Sequence, residues 1–206
     1  TERGTALEKS LRNQAGARGF SVVQVSDREL ADCASTDTPQ GIIGIAVQPE
    51  RAFDETDSAG LLLLLDGVQD PGNVGTILRT AQAFGVTVTI ALPGTVDLWN
   101  PKVVRAAMGA LFTHRAFHAD VEQALKFVRD GSMQLWATAA DGESVTSHAG
   151  SRAGKGLAIV VGNEGHGVSP QIVAAADRTV AIPVRGVESL NVAVATGILL
   201  HAVSTE

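Results

Sequence analysis

The residues of this chain best suited to chemistry fall in three short segments, 66–81, 158–169 and 182–191. The last of these, Ile-Pro-Val-Arg-Gly-Val-Glu-Ser-Leu-Asn, is a Pro/Gly turn carrying charges, a hydroxyl and an amide, and it opens onto the apolar run 192–203. Polar side chains and unpaired main-chain donors thus meet at the start of a buried helix, which is how a small-molecule pocket is built. In the middle segment, Gly162-Asn163-Glu164-Gly165-His166-Gly167 follows an apolar strand ending at Val161. Glycines there let main-chain donors approach a ligand at the edge where open α/β sheets bind them. In the first segment, Asn73 follows Pro71-Gly72 and precedes the apolar positions Ile77, Leu78, Ala81 and Phe84, so it reads as a helix cap. Arg79 follows it by six residues, close to two turns, and is predicted to share a related face.

Each of these residues also has a plain structural reading. Asn73, Ser189 and Asn191 can serve as caps. Arg79 can be a surface charge whose stem lies along an apolar helix. His166, alone between glycines, has no partner set for a metal, and no metal site is expected. The glycines run G-x-x-G-x-G, not G-x-G-x-x-G, and no G-x-x-x-x-G-K-[ST] is present, so dinucleotide and nucleoside-triphosphate binding have weak support.

The elements that must position these residues alternate. Strands are predicted at Leu61–Asp66, Val86–Leu92, Gln134–Thr138, Leu157–Val161 and Thr179–Pro183, and helices at Val74–Phe84, Pro101–Gly109, Val121–Arg129, Pro170–Ala176 and Leu190–Val203. Continuously apolar strands between helices imply an α/β fold, a mostly parallel sheet with helices on both faces. Upstream, a helical stretch at Gly4–Arg18, a strand at Phe20–Val25, a capped helix at Asp27–Cys33 and a strand at Gly41–Val47 are too few for a complete domain. Residues 49–59, charged and with only Phe53 as an apolar anchor, read as a linker. The organisation expected is 1–48 as part of an N-terminal domain, 49–59 as linker and 60–206 as the main domain, with further residues expected upstream of Thr1.

The three segments resemble, in order and spacing, the signatures of the SpoU-type RNA 2'-O-ribose methyltransferases of the SPOUT superfamily, and the similarity covers roughly 60–203. The resemblance implies a C-terminal deep trefoil knot, S-adenosylmethionine as cofactor, and a homodimer whose second subunit completes the pocket. It matches Arg79 to the catalytic arginine, with Asn73, Glu164 and Ser189 orienting it and Asn191 fixing the ribose. Thr138, Gly162, Ile182 and Leu190 match the cofactor-binding positions. Residues 20–48 are similar to the last part of a small α/β RNA-recognition domain, which points to ribosomal RNA as substrate. A transfer-RNA ribose methyltransferase and a non-catalytic RNA-binding module are the alternatives. The family proposal makes the arginine a general base. An arginine is effectively always protonated, so the other reading keeps it cationic, gripping a phosphate and stabilising the developing alkoxide.

With 206 residues, 45% of them hydrophobic, the chain can bury a sizeable core. The apolar run Leu61–Leu65 is far too short to cross a bilayer, and Cys33 has no second cysteine to pair with, so a soluble cytoplasmic protein is expected. A net charge of −6 runs against phosphate binding, yet the acids gather in 50–66. Arg3, Lys9, Arg12 and Arg18 form one basic group, and Lys102, Arg105, His114, Arg115 and His118 another. Arg12, Arg18, Lys102 and Arg105 are therefore the candidate RNA contacts.

Overall fold

A computed structural model describes residues 6–34, 36, 38–148, 156–187 and 189–204. Two compact units divide at Pro49 and Glu50. In the first, α1 (Ala6–Ala17) and α2 (Asp27–Cys33) form. The second of these starts on a capping box, with Ser26 Oγ accepting from Glu29 N and Glu29 Oε2 from Ser26 N. No strand forms at Phe20–Val25 or Gly41–Val47 among the described residues. Val23, Ile45 and Val47 are exposed, and extended segments without neighbouring strands and a face to bury do not persist as sheet. Arg12 and Arg18 are exposed in this unit.

The second unit is a six-stranded, wholly parallel sheet in the order β3-β2-β1-β5-β4-β6. Its strands are β1 (Leu61–Asp66), β2 (Val88–Ala91), β3 (Arg115–His118), β4 (Gln134–Ser144), β5 (Leu157–Gly162) and β6 (Arg178–Ala181). Helices α3 (Pro71–Ala83), α4 (Pro101–Ala106), α5 (Ala110–Thr113), α6 (Val121–Asp130), α7 (Pro170–Ala175) and α8 (Val192–Ser204) connect and cover them. The five consecutive leucines of β1 show why the strand is central. Leu61, Leu63 and Leu65 enter the core that holds Ile77, Leu78 and Leu200, whereas Leu62 and Leu64 enter the core that holds Leu125 and Ile172. Each full burial stabilises the fold by about 1.5–3 kcal/mol.

Beyond end shifts of up to three residues, four features of the second unit differ from the sequence reading. The predicted helix Pro101–Gly109 breaks into α4 and α5 because Met108 (φ 50°) and Gly109 (φ 90°) turn left-handed. β4 runs past Thr138 to Ser144 through a register shift, and Gly142 lies so close to Val180 that an added Cβ would sit 2.7 Å from its carbonyl carbon. β3 escaped the sequence reading because only Ala116 and Phe117 of its four residues are buried. Finally, residues of the expected linker 49–59 pack within the second unit. Phe53 stacks on Phe127 at 4.6 Å and meets Phe117 edge-on at 5.1 Å. Asp57, 1% exposed, pairs with Arg115 and accepts from Asp54 N, while Arg51 Nη1 donates to His114 O at 2.7 Å. Except for Asp54–Asp57, these contacts join residues far apart in sequence, so local composition could not show them.

The mid-chain basic group separates accordingly. His114 is buried with Nε2 2.8 Å from Thr89 Oγ1, Arg115 is committed to Asp57, and His118 Nε2 accepts from Leu98 N. Lys102 and Arg105 remain exposed on α4.

Candidate functional site

At the carboxyl edge of the sheet, the loops after β1 and β5 are fastened to each other. Asp66, 8% exposed at the end of β1, accepts from Ser169 N at 2.6 Å, and Asn163 Nδ2 donates to Gly67 O at 2.8 Å. Asn163 Oδ1 also accepts from Gly165 N and His166 N, which holds 163–167 as a closed loop. The loop returns so tightly that a Cβ on Gly162 would fall 2.1 Å from the Gly167 carbonyl carbon. Gly162 is thus needed for its own loop to close, and the space beside its Cα is not left for a ligand.

From this edge three side chains form a relay. Asp70, not Asn73, caps α3: its Oδ1 accepts from Asn73 N at 2.7 Å, and Pro71 occupies the first helical position. The Asn73 amide is therefore released from capping. Its Nδ2 donates to Glu164 Oε1 at 3.0 Å, and its Oδ1 accepts from Asn191 Nδ2 at 2.9 Å. Asn191 does cap: its Oδ1 accepts from Ala193 N and Val194 N at the start of α8. Partial burial would raise the Glu164 carboxyl, but the Asn73 amide and main-chain donors including Gln69 and Asp70 outweigh it and hold the group below its ordinary range. Glu164 is ionised at neutral pH, and a carboxylate that only accepts fixes which way the Asn73 amide points.

Arg79 and Ser189 stand outside this relay. Six residues are one and two-thirds turns, so Asn73 and Arg79 leave α3 about 120° apart and about 9 Å along its axis. Arg79 is exposed, and among the described residues it makes no ion pair and no bond to Glu164. Ser189 is exposed and makes no hydrogen bond among the described residues. Among the described residues no hydrogen bond joins Arg79 to Glu164, Asn73 or Ser189, the three expected to orient it.

Thr138 lies within β4 at its register shift, Gly162 ends the adjacent β5, Ile182 follows β6 on the other side of β4, and Leu190 precedes α8. Thr138, Ile182 and Leu190 are half-buried, and Ile182 packs on the core shared with α3 and α8. The main-chain N–H groups of 184–187 and 189–190 donate to no carbonyl among the described residues. Half-buried apolar side chains beside unpaired main-chain donors suit a ligand with an aromatic base and polar edges, which is what S-adenosylmethionine presents. Among the described residues no group of three His, Cys, Asp or Glu could hold a metal, and no helix is long and apolar enough to cross a membrane.

Asp66, Asn163 and Asp70 were not singled out from the sequence. Asp70 and Asn163 carried a signal, since Asp before Pro-Gly and Asn before a glycine loop are cap and turn residues. Asp66 carried none beyond being an acid at the end of a leucine run.

Comparison with known proteins places this edge in context. The chain is 32% identical over 184 residues to the 23S rRNA (guanosine(2553)-2'-O)-methyltransferase RlmP of Bacillus subtilis, covering 89% of this chain and 72% of that protein. It is 31% identical to the human mitochondrial rRNA methyltransferase 3, covering 89% of this chain and 57% of the human protein. The AdoMet-bound rRNA methyltransferase of Sinorhizobium meliloti superposes with a TM-score of 0.82 at 31% identity, over 94% of this chain and 75% of that one. Residues 60–201, which hold the sheet, the relay and the three loops, match the SpoU rRNA Methylase family, and the chain belongs to that family.

Proposed function

We propose that this chain transfers a methyl group from S-adenosylmethionine to a ribose 2'-hydroxyl of ribosomal RNA. The observation that carries the reading is the Asn191–Asn73–Glu164 relay, which ties three loops together at one edge of the sheet beside an exposed arginine. S-adenosylmethionine supplies an activated methyl on a sulfonium; its holders are Thr138, Gly162, Ile182 and Leu190, Gly162 by closing the loop beside it. The chain must place the ribose hydroxyl in line with that methyl; the new O–C bond replaces the C–S bond, and the hydroxyl proton leaves to solvent water. Asn191 and Asn73, held in one orientation by ionised Glu164, position the ribose. Arg79 remains a cation at its exposed position, grips the neighbouring phosphate and stabilises the developing alkoxide, with Ser189 near the ribose end of the same loop. Family members named as ribosomal RNA methyltransferases support the substrate class.

The finer architecture follows the same reading. The chain after β6 returns so that α8 packs on α3 and Ser204 Oγ donates to Phe84 O, an arrangement that suits a C-terminal trefoil knot. Exposed Val184, Val187, Val194 and Ile198 on the last loop and helix support a homodimer formed over that surface. Residues 1–48 act as part of an RNA-recognition domain through Arg12 and Arg18, and the lone exposed Cys33 suits the cytoplasm.

The test is methyl transfer from radiolabelled S-adenosylmethionine to 23S rRNA fragments and to transfer RNA, with the modified position located as an alkali-resistant phosphodiester. Label on ribose in rRNA supports the reading. Label on transfer RNA alone moves the substrate to the tRNA alternative, and S-adenosylmethionine binding without transfer to either RNA favours a non-catalytic module.

A further inference from the structure

Residues 98–119 contain no Asp or Glu, in a chain whose net charge is −6. This acid-free stretch carries Lys102 and Arg105 on α4, and it also holds the two most exposed large apolar side chains among the described residues of the second unit. Met108 is 74% exposed and Phe112 61%. The ring of Trp99 lies 6.2 Å from that of Phe112 at 57°. Met108 is turned outward by a left-handed backbone (φ 50°) that a bulky residue rarely adopts, so its exposure is built into the break between α4 and α5. Asp97 borders the stretch and accepts from Trp99 N at 3.0 Å, but the exposed Met108 and Phe112 follow Lys102 and Arg105 along the chain, and aromatic and thioether surface displayed in this way has no evident role in the core of the unit.

The patch adjoins the relay. Val96 N donates to Val68 O, and Thr95 Oγ1 accepts from Gly67 N while donating to Leu65 O, so the loop leading to Trp99 is tied to the loop leading to Asn73. Helix α4 lies against α3, where a Cβ on Gly75 would meet Ala106 at 2.4 Å, and α3 carries Arg79. Anything held on the patch is therefore held on elements fastened to those that carry Asn73 and Arg79.

Two kinds of occupant would cover exposed rings. A second copy packed here would gather Lys102 and Arg105 of both protomers into one interface, four cations together, which disfavours it. Unpaired RNA satisfies both features, because bases stack on aromatic faces and phosphates meet the cations. We propose that Trp99, Met108 and Phe112 form a stacking shelf for unpaired nucleotides flanking the methylated one, with Lys102 and Arg105 on their phosphates. The inference rests on the RNA reading above and adds that the target lies in a loop or bulge whose neighbouring bases splay onto this surface.

The experiment measures binding of a fluorescent single-stranded decamer of adenylates to the full chain by anisotropy, without S-adenosylmethionine. Phe112→Ala weakens binding about 5- to 150-fold, the range for loss of one stacked base, and Phe112→Tyr, which keeps a ring, restores it. Lys102→Ala lowers the salt slope by about one. RNA quenches the emission of half-buried Trp99, and Trp99→Phe removes that quenching. Equal affinity in Phe112→Ala and the parent overturns the shelf. So does a change in sedimentation from dimer to monomer in Phe112→Ala, which assigns the surface to a second copy. A parent that moves no methyl to any RNA, while Phe112→Ala still loses decamer binding, removes the catalytic reading and leaves the shelf standing.

Discussion

Replacing Asn191 separates its two roles, because its two side-chain atoms serve different partners. Oδ1 caps α8 through Ala193 N (3.0 Å) and Val194 N (3.2 Å), and Nδ2 donates to Asn73 (2.9 Å). Asn191→Asp keeps both capping bonds and places a negative charge at a helix N-terminus, a gain of roughly 0.3–1 kcal/mol. The same change sets a carboxylate oxygen against Asn73 Oδ1. If the Asn73 amide turns over to relieve that contact, its oxygen meets Glu164, so one contact stays oxygen against oxygen. Leaving such a group unpaired costs about 1–3 kcal/mol when buried and less here, where Asn191 and Glu164 reach water. Gain and loss nearly cancel in stability, and Asn191→Asp is expected to unfold within about 1 kcal/mol of the parent. Its kcat/KM falls about 10- to 100-fold, because the ribose is held out of line. Asn191→Ala loses the cap as well, about 1 kcal/mol more, with a similar loss of activity. Urea denaturation and single-turnover methyl transfer to an rRNA fragment measure the two effects. Parent-level activity in Asn191→Asp refutes the relay as a positioning device, and unchanged stability in Asn191→Ala refutes the cap.

Arg79→Ala is expected to abolish transfer while leaving calorimetric S-adenosylmethionine affinity nearly intact, with Arg79→Lys rescuing poorly because it lacks the planar fork. Gly162→Ala must displace the Gly167 carbonyl; it is expected to lose cofactor affinity with hydrogen exchange quickened across 163–169, and unchanged exchange there would show that the loop accommodates the methyl group. A chain starting at Glu50 should fold and bind S-adenosylmethionine while losing much of its RNA affinity. One starting at Gly60 leaves Arg115, whose side chain is 37% exposed, without Asp57 and is destabilised by about 1.5–3 kcal/mol, as is Asp57→Ala in urea melts. Burial, helped by the nearby Arg51 charge, pushes His114 down to about 4 from 6.5. The unfolded chain then takes up a proton that the folded one refuses, so stability is full above about pH 6.5 and declines toward pH 4, by roughly 3 kcal/mol from this group. His114→Gln should flatten that slope, and an unchanged slope assigns the acid sensitivity elsewhere.

Much of the sheet could be read from the chain alone. β1 coincides with the predicted Leu61–Asp66, since five consecutive leucines bounded by Asp66-Gly67 are too short for a helix and too apolar for an edge. Helices α3, α6, α7 and α8 lie within three residues of their predicted bounds because caps and periodicity act over one turn. The resemblance to the family signatures marked Asn73, Glu164 and Asn191 as candidates, by residue type and spacing along the chain. Contacts made across long separations were hidden. Nothing local says that the Asn73 amide joins residues 91 and 118 positions away, that Asp70 takes over the capping, or that Arg79 points elsewhere. Asp57 looked like linker until Arg115, 58 residues on, neutralised it, and His114 looked basic until the fold buried it against Thr89. Local sequence determines which segments become helix or strand, because those hydrogen bonds close within a few residues or follow from a face of apolar side chains. Which polar groups are paired, buried or left in water depends on partners that only the packed sheet brings within reach, and it is those partners that decide the charge and orientation of the site.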